Sequence, residues 1–175
     1  MIKLLHFADA HIDMANYGRR DPQSGLPLRV LDFLKSLDTI IDTAIDEKVD
    51  LVIFAGDAYK DRSPAPTFQR EWGRRMMRLS NAGIRTLLLI GNHDLSPSIG
   101  RANALQEFET LQVPGIQVLD WIRQRMHDAG NEGQKVGVEL AQDLLRQCKA
   151  HANGVYLMPS FGRYENCLEV LDGTL

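Results

Sequence analysis

Apolar residues fall along this chain in two kinds of pattern. The runs Ile2–Phe7, Leu51–Ala55 and Thr86–Ile90 are short and nearly continuous, and they predict buried strands. Between the first two, Val30, Leu31, Leu34, Leu37, Ile40, Ile41, Ala44 and Ile45 recur at three- and four-residue steps, the spacing of an amphipathic helix packed on a sheet. Phe68, Trp72, Met76 and Leu79 repeat that spacing behind Pro64 and Pro66 and stop at Asn81-Ala82-Gly83, a helix C-terminal signal. Strand, helix, strand, helix, strand predicts a parallel α/β sheet with right-handed crossovers. A further helix, Ala102–Leu111, leads through Val113-Pro114-Gly115 to a short strand, Ile116–Leu119.

Beyond Asp120 the texture changes. Helical patterns cover Trp121–Ala129 and about Val136–Ala150, separated by Gly130-Asn131-Glu132-Gly133, and the second places Leu140, Leu144, Leu145 and Cys148 on one face. Val155–Met158 reads as a buried strand able to join the sheet, and Glu165–Leu171 as a closing helix. The expectation is a three-layer α/β/α architecture with a mainly parallel sheet. Its two parts are residues 1–118, and a helix-rich tail, 119–175, packed on the first as one domain.

Composition narrows the function classes. With 20 basic and 23 acidic side chains the net charge is −3, so any nucleic-acid contact must rest on a local patch rather than on bulk charge. No stretch approaches the roughly 18 consecutive apolar residues of a spanning helix, so no membrane partner is expected. Cys148 and Cys167 are the only cysteines, too few for a disulfide framework or a zinc cluster, and a reducing cytoplasm is the expected location.

The chemistry sits where the strands end. Asp9-Ala10-His11 follows the first, Gly56-Asp57 the second and Gly91-Asn92-His93-Asp94 the third. Ligands of open parallel sheets bind outside the carboxyl ends of the strands, so the three groups should converge on one rim. Each has a plainer reading as a turn or helix cap, but three in succession point to a site. Two carboxylates, an imidazole and an amide oxygen, with a second imidazole beside them, suit manganese, iron or zinc, and Asp57 is placed to bridge two ions. His6, out of phase with the rim, reads as a core or interface histidine.

In order and spacing these segments resemble the first three signatures of the calcineurin-like metallophosphoesterases. His6-Phe7-Ala8-Asp9-Ala10-His11, Ala55-Gly56-Asp57-Ala58-Tyr59-Lys60-Asp61-Arg62 and Gly100-Arg101-Ala102-Asn103-Ala104-Leu105 are closer still to the SbcD-type DNA repair nucleases, a likeness covering roughly residues 1–118. The resemblance implies that Asp9 and His11 bind one ion, that Asp57 bridges, that Asn92 binds a second, and that His93 stabilises the transition state or protonates the leaving oxygen. It implies Mn2+ as cofactor, with iron or zinc as alternatives, and DNA as substrate. It also implies half of an αββα sandwich, since the family completes its site with three further histidines on Gly-His and Gly-His-x-His segments. After His93 only His127 and His151 remain, neither behind a glycine and both in helical segments, so they read as surface residues.

The tail carries a second likeness. Val155-Tyr156-Leu157-Met158-Pro159-Ser160-Phe161-Gly162-Arg163-Tyr164-Glu165, with Val113-Pro114-Gly115-Ile116 and Trp121-Ile122-Arg123-Gln124-Arg125-Met126, resembles the C-terminal end of the methylenetetrahydrofolate reductases, over about residues 113–175. That implies a chimera joined near Val113–Val118. So short a piece carries no flavin site, and no flavin is expected.

Arg70, Arg74, Arg75 and Arg78 read as a solvated helix face, whereas Arg19 and Arg20, on the loop that leaves the rim, are the better candidates for phosphate contact. The ATPase partner of SbcD-type nucleases is not expected, because nothing here resembles the region that binds it. The chain should be a monomer or a homodimer, and either a metal-dependent DNA phosphodiesterase with an incomplete dinuclear site or a catalytically inactive α/β protein that binds metal weakly.

Overall fold

The computed structural model describes residues 2–14, 18–95, 101–157, 162–172 and 174. The chain divides into two compact units, Met1–Asp120 and Trp121–Leu175. The first holds β1 (Leu4–Phe7), α1 (Leu28–Asp46), β2 (Leu51–Phe54), α2 (Pro66–Asn81), β3 (Arg85–Leu89), the short α3 (Glu107–Thr110) and β4 (Ile116–Leu119). Its four strands form one parallel sheet in the order β1-β2-β3-β4, so the expected α/β class holds.

Each strand is added on the same side of its predecessor, and right-handed crossovers therefore place α1 and α2 on one face of the sheet. Alternation along the strands sorts their side chains accordingly. Phe7, Val52, Phe54, Thr86 and Leu88 face the helices, and Trp72 fills the centre, its ring 4.8 Å from Phe54 and 6.1 Å from Tyr59. Val30, Leu34, Leu37, Ile41 and Ala44 of α1 are buried opposite them. The alternate positions Leu51, Ile53, Leu87 and Leu89 are half-buried on the other face, and His6 among them is exposed rather than in the core.

Two of the four arginines of α2 correct the reading of a solvated face, whereas Arg70 and Arg74 are exposed as expected. Arg75 is buried and bonds Asp38 of α1 at 2.6 Å and Glu71 at 3.2 Å; Arg78 bonds Asp38 at 3.0 Å and also pairs with Asp42. Arg75 and Arg78 thus tie α2 to α1, while Arg70 and Arg74 pair with Glu71 on their own helix. Burial pushes the Glu71 carboxyl up, but hydrogen bonds from Arg70 and Arg75 and the charges of Arg74 and Arg70 outweigh it and hold the group below the usual glutamate range. A depressed carboxylate contributes stability that is present above its unfolded pKa and lost as pH falls through the folded value. Urea unfolding followed from pH 7 to pH 3 should accordingly show a shallower loss of stability for Glu71→Gln than for the parent chain.

The helix expected over 102–111 contracts to α3 because its first residues are bonded elsewhere. Ala104 N–H donates to the Asp94 carbonyl at 3.0 Å, and Asn103 Oδ1 accepts from Leu105 N–H at 2.9 Å, an Asx turn that competes with helix.

The second unit is helical: α4 (Trp121–Asp128), a 3₁₀ turn at Gly130–Glu132, α5 (Gly133–Cys148) and α6 (Tyr164–Asp172). Gln142 Nε2 donates to the Glu169 carbonyl at 2.8 Å and Gln134 Nε2 to Asn166 Oδ1 at 2.9 Å, tying α5 to α6. The expected strand at Val155–Met158 is not formed at 155–157: β-propensity without a ladder partner makes no strand. Met158 lies outside the described residues, as do Pro159, Ser160 and Phe161 of the same motif. Leu144 is exposed, so the apolar face of α5 is narrower than its sequence suggests. Among the described residues no helix is long and apolar enough to cross a membrane.

Candidate metal centre

Just beyond the carboxyl end of the sheet the loops after β1 and β2 run on in register. Asp9 N–H donates to the Gly56 carbonyl at 3.0 Å, His11 N–H to Asp57 at 3.1 Å and Ile12 N–H to Ala58 at 3.1 Å. Asp9, His11 and Asp57 adopt φ of 54°, 38° and 64°, left-handed backbone that non-glycine residues enter at a cost of about 1–2 kcal/mol each. Gly56 is also left-handed, and a Cβ there would lie 2.7 Å from Gly91 Cα and N, so only glycine lets these loops approach so closely.

The strain brings donors together. One ligand atom each from Asp9, His11 and Asp57 lies within 4.8 Å of the others, and His11 Nε2 is 3.7 Å from Asp9 Oδ1. His11 Nδ1 meets the Tyr59 carbonyl at 3.2 Å and His93 Nδ1 the Lys60 carbonyl at 2.9 Å. A carbonyl only accepts, so each Nδ1 carries a proton, and in the neutral ring the lone pair is then on Nε2, the tautomer a metal ligand needs. The two rings stand edge to face with centroids 5.1 Å apart. Two carboxylates, one of them largely exposed, and an imidazole with a free Nε2 therefore fit a divalent cation in chemistry and spacing.

Asp57 reaches its place through backbone donors. His93 N–H donates to Asp57 Oδ1 at 2.9 Å, which joins the β3 loop to the β2 loop. The missing organiser is Asp94: buried, it accepts N–H bonds from Asp57 at 2.8 Å, Ala58 at 3.0 Å and Gly91 at 3.0 Å. Burial pushes its carboxyl up, with the Asp57 charge adding, against the lowering effect of those three bonds. Tyr59, buried beneath, is pushed up by burial and by the nearby Glu107, Asp94 and Asp13, and stays a phenol. Its place as last residue of Gly91-Asn92-His93-Asp94 was the signal for Asp94; the sequence says nothing of what it holds.

The remaining expected residues are placed as follows. Asn92 is exposed on the turn that carries His93. Arg19 and Arg20 are exposed, and the Arg20 guanidinium donates to the Gly25 carbonyl at 3.0 Å within its own loop. His127 and His151 are exposed, as expected of surface histidines.

A family model for the calcineurin-like phosphoesterases matches residues 2–147. The chain belongs to that family. Among its relatives is the DNA double-strand break repair protein Mre11 of Halobacterium salinarum, 35% identical over 111 residues, which are 63% of this chain and 26% of that protein. Mre11 of Methanosarcina mazei is 33% identical over 97 residues, 55% of this chain and 15% of the relative. The SbcD component of the nuclease SbcCD of Escherichia coli is 25% identical over 107 residues, 61% of this chain and 25% of its own length. The chain thus spans about a quarter or less of these relatives. The family match continues past the expected join at Val113–Val118 and into α5.

Proposed function

We propose that this chain holds one divalent cation, by preference Mn2+ with iron or zinc as alternatives, on Asp9, His11 and Asp57, and hydrolyses phosphodiester bonds of DNA beside it. The observation that supports this reading is the convergence of three donors from two strand ends within 4.8 Å, with His93 locked to the same carboxylate. A bound cation supplies charge to neutralise phosphoryl oxygens and to acidify water. The rest falls to the chain. Asp9 and Asp57 set the cation's charge balance, and the Tyr59 carbonyl keeps His11 Nε2 available. With Nδ1 bonded to Lys60, His93 has Nε2 as the nitrogen that would take up a proton from solvent and pass it to the departing oxygen. DNA is proposed as substrate because the relatives are named as DNA repair proteins and a nuclease, with Arg19 and Arg20 as weak phosphate contacts. The reductase likeness of residues 113–175 remains a proposal from sequence, without a flavin or folate site attached.

A second reading, a metal binder without turnover, is favoured by the size of the donor group: among the described residues it numbers three. Calorimetric titration of metal-free protein with Mn2+, beside hydrolysis of bis-p-nitrophenyl phosphate and single-stranded DNA, separates the two. The expected result is one bound ion and Mn2+-dependent release of nitrophenol. Binding without release would leave the second reading standing, and no binding would remove both.

A further inference from the structure

The residue after Ile12 takes no part in the donor group, yet it is tied to the loop that orients both histidines. Asp13 Oδ1 accepts the N–H of Lys60 and Asp13 Oδ2 that of Asp61, the latter at 3.2 Å, across 47 and 48 residues of sequence. The carbonyl of the same Lys60 accepts from His93 Nδ1 at 2.9 Å, and that of the preceding Tyr59 from His11 Nδ1 at 3.2 Å. One peptide segment therefore has its N–H groups fixed by a carboxylate while its carbonyls fix two imidazoles.

The geometry points to Asp13 as a positioning residue for His93, acting through Lys60. An imidazole free in solution shares its proton between two nitrogens, the Nε2–H form in excess. A rigid carbonyl facing Nδ1 selects the other tautomer and holds the ring's orientation. Lys60 lies on a segment of bends from Gly56 to Ser63, outside any strand or helix. The part-buried Asp13 carboxylate supports it, as the outer hydrogen-bond partners of metal-site histidines do in general. The aspartate recurs two residues after His11 as His11 recurs two after Asp9, but the observed backbone is left-handed at Asp9 and His11 and not extended, so this spacing alone would not have revealed the role.

The inference rests on the proposed phosphodiesterase for its kinetic arm but not for its spectroscopic one. In metal-free protein at pH 8, long-range ¹H–¹⁵N spectra of the intact chain should show His93 in one neutral tautomer, protonated on Nδ1. In Asp13→Ala this pattern should give way to a mixture rich in Nε2–H, and Asp13→Asn, which keeps one acceptor oxygen, should recover most of it. Kinetically, kcat on bis-p-nitrophenyl phosphate should fall about tenfold in Asp13→Ala with KM little changed, a loss typical of outer hydrogen-bond partners. His93 protonated on Nε2 in the parent chain, or unaltered in a folded Asp13→Ala, overturns the inference. Should Asp13→Ala not fold, Asp13→Ser, too short to hold both N–H groups, decides: a His93 tautomer unchanged from the parent overturns it. Absence of hydrolysis in the parent, with the spectra as expected, would instead defeat the phosphodiesterase reading and leave the positioning role intact.

Discussion

Asp57→Asn is expected to abolish Mn2+-dependent hydrolysis and to weaken cation binding by about a hundredfold, the upper end of what loss of even a supporting partner costs. The substitution keeps the shape of the side chain and an oxygen to accept the His93 N–H, which lies 2.9 Å from Oδ1. What it removes is the charge, and with it one of the two carboxylates that make the group attractive to a hard cation. In the metal-free state those two carboxylates repel, so the unfolding midpoint of the metal-free variant should not fall below that of the parent. Calorimetry, hydrolysis and a urea melt read the three effects separately. A variant that binds Mn2+ as the parent does would show that Asp57 is not a ligand.

The largest effect on stability is expected at Gly91. A Cβ there would lie 2.1 Å from Asp57 Oδ1 and 2.4 Å from Asp57 N, distances that no rotamer adjustment relieves because one of the atoms is backbone. Gly91 N–H also donates to Asp94, so moving the residue away breaks the hydrogen bond that anchors the loop. Gly91→Ala should cost about 3 kcal/mol, the high end for overpacking a closely packed site. Its urea midpoint should fall by on the order of 1–2 M. Gly73→Ala on α2 serves as control, since a Cβ there meets nothing within 4 Å and alanine is the better helix former.

The strands and the rim were legible because they are local in the sequence. Buried parallel strands read as continuous apolar runs, and Ile116–Leu119 was recovered to the residue. The rule that places ligands beyond strand ends then collected Asp9, His11, Asp57 and His93 without any knowledge of contacts. What stayed hidden depends on partners far along the chain. Asp94 and Asp13 act on backbone groups 36 to 48 residues away, and no spacing rule announces such a bond. Arg75 and Arg78 looked like a solvated stripe because Asp38 and Asp42 sit on another helix. Val155–Leu157 has the composition of a strand, and composition cannot supply a neighbouring edge. The exposure of His6 follows from which face of β1 the crossover helices cover, a property of the sheet rather than of the strand.

The clamp at Asp94 has a consequence for folding. The donors belong to the ends of β1 and β2, but the carboxylate that pins Asp57 and Ala58 arrives only with β3, after two crossovers. Any partly folded chain with β3 undocked has the ligand residues without the bonds that set them. Affinity at the proposed cation site would then be coupled to completion of the three-strand unit, and a bound ion would stabilise the finished sheet by mass action while leaving its intermediates almost untouched. If the proposed site takes Mn2+, the ion should slow unfolding and hardly change the rate of folding, a kinetic lock on the fold that creates the site.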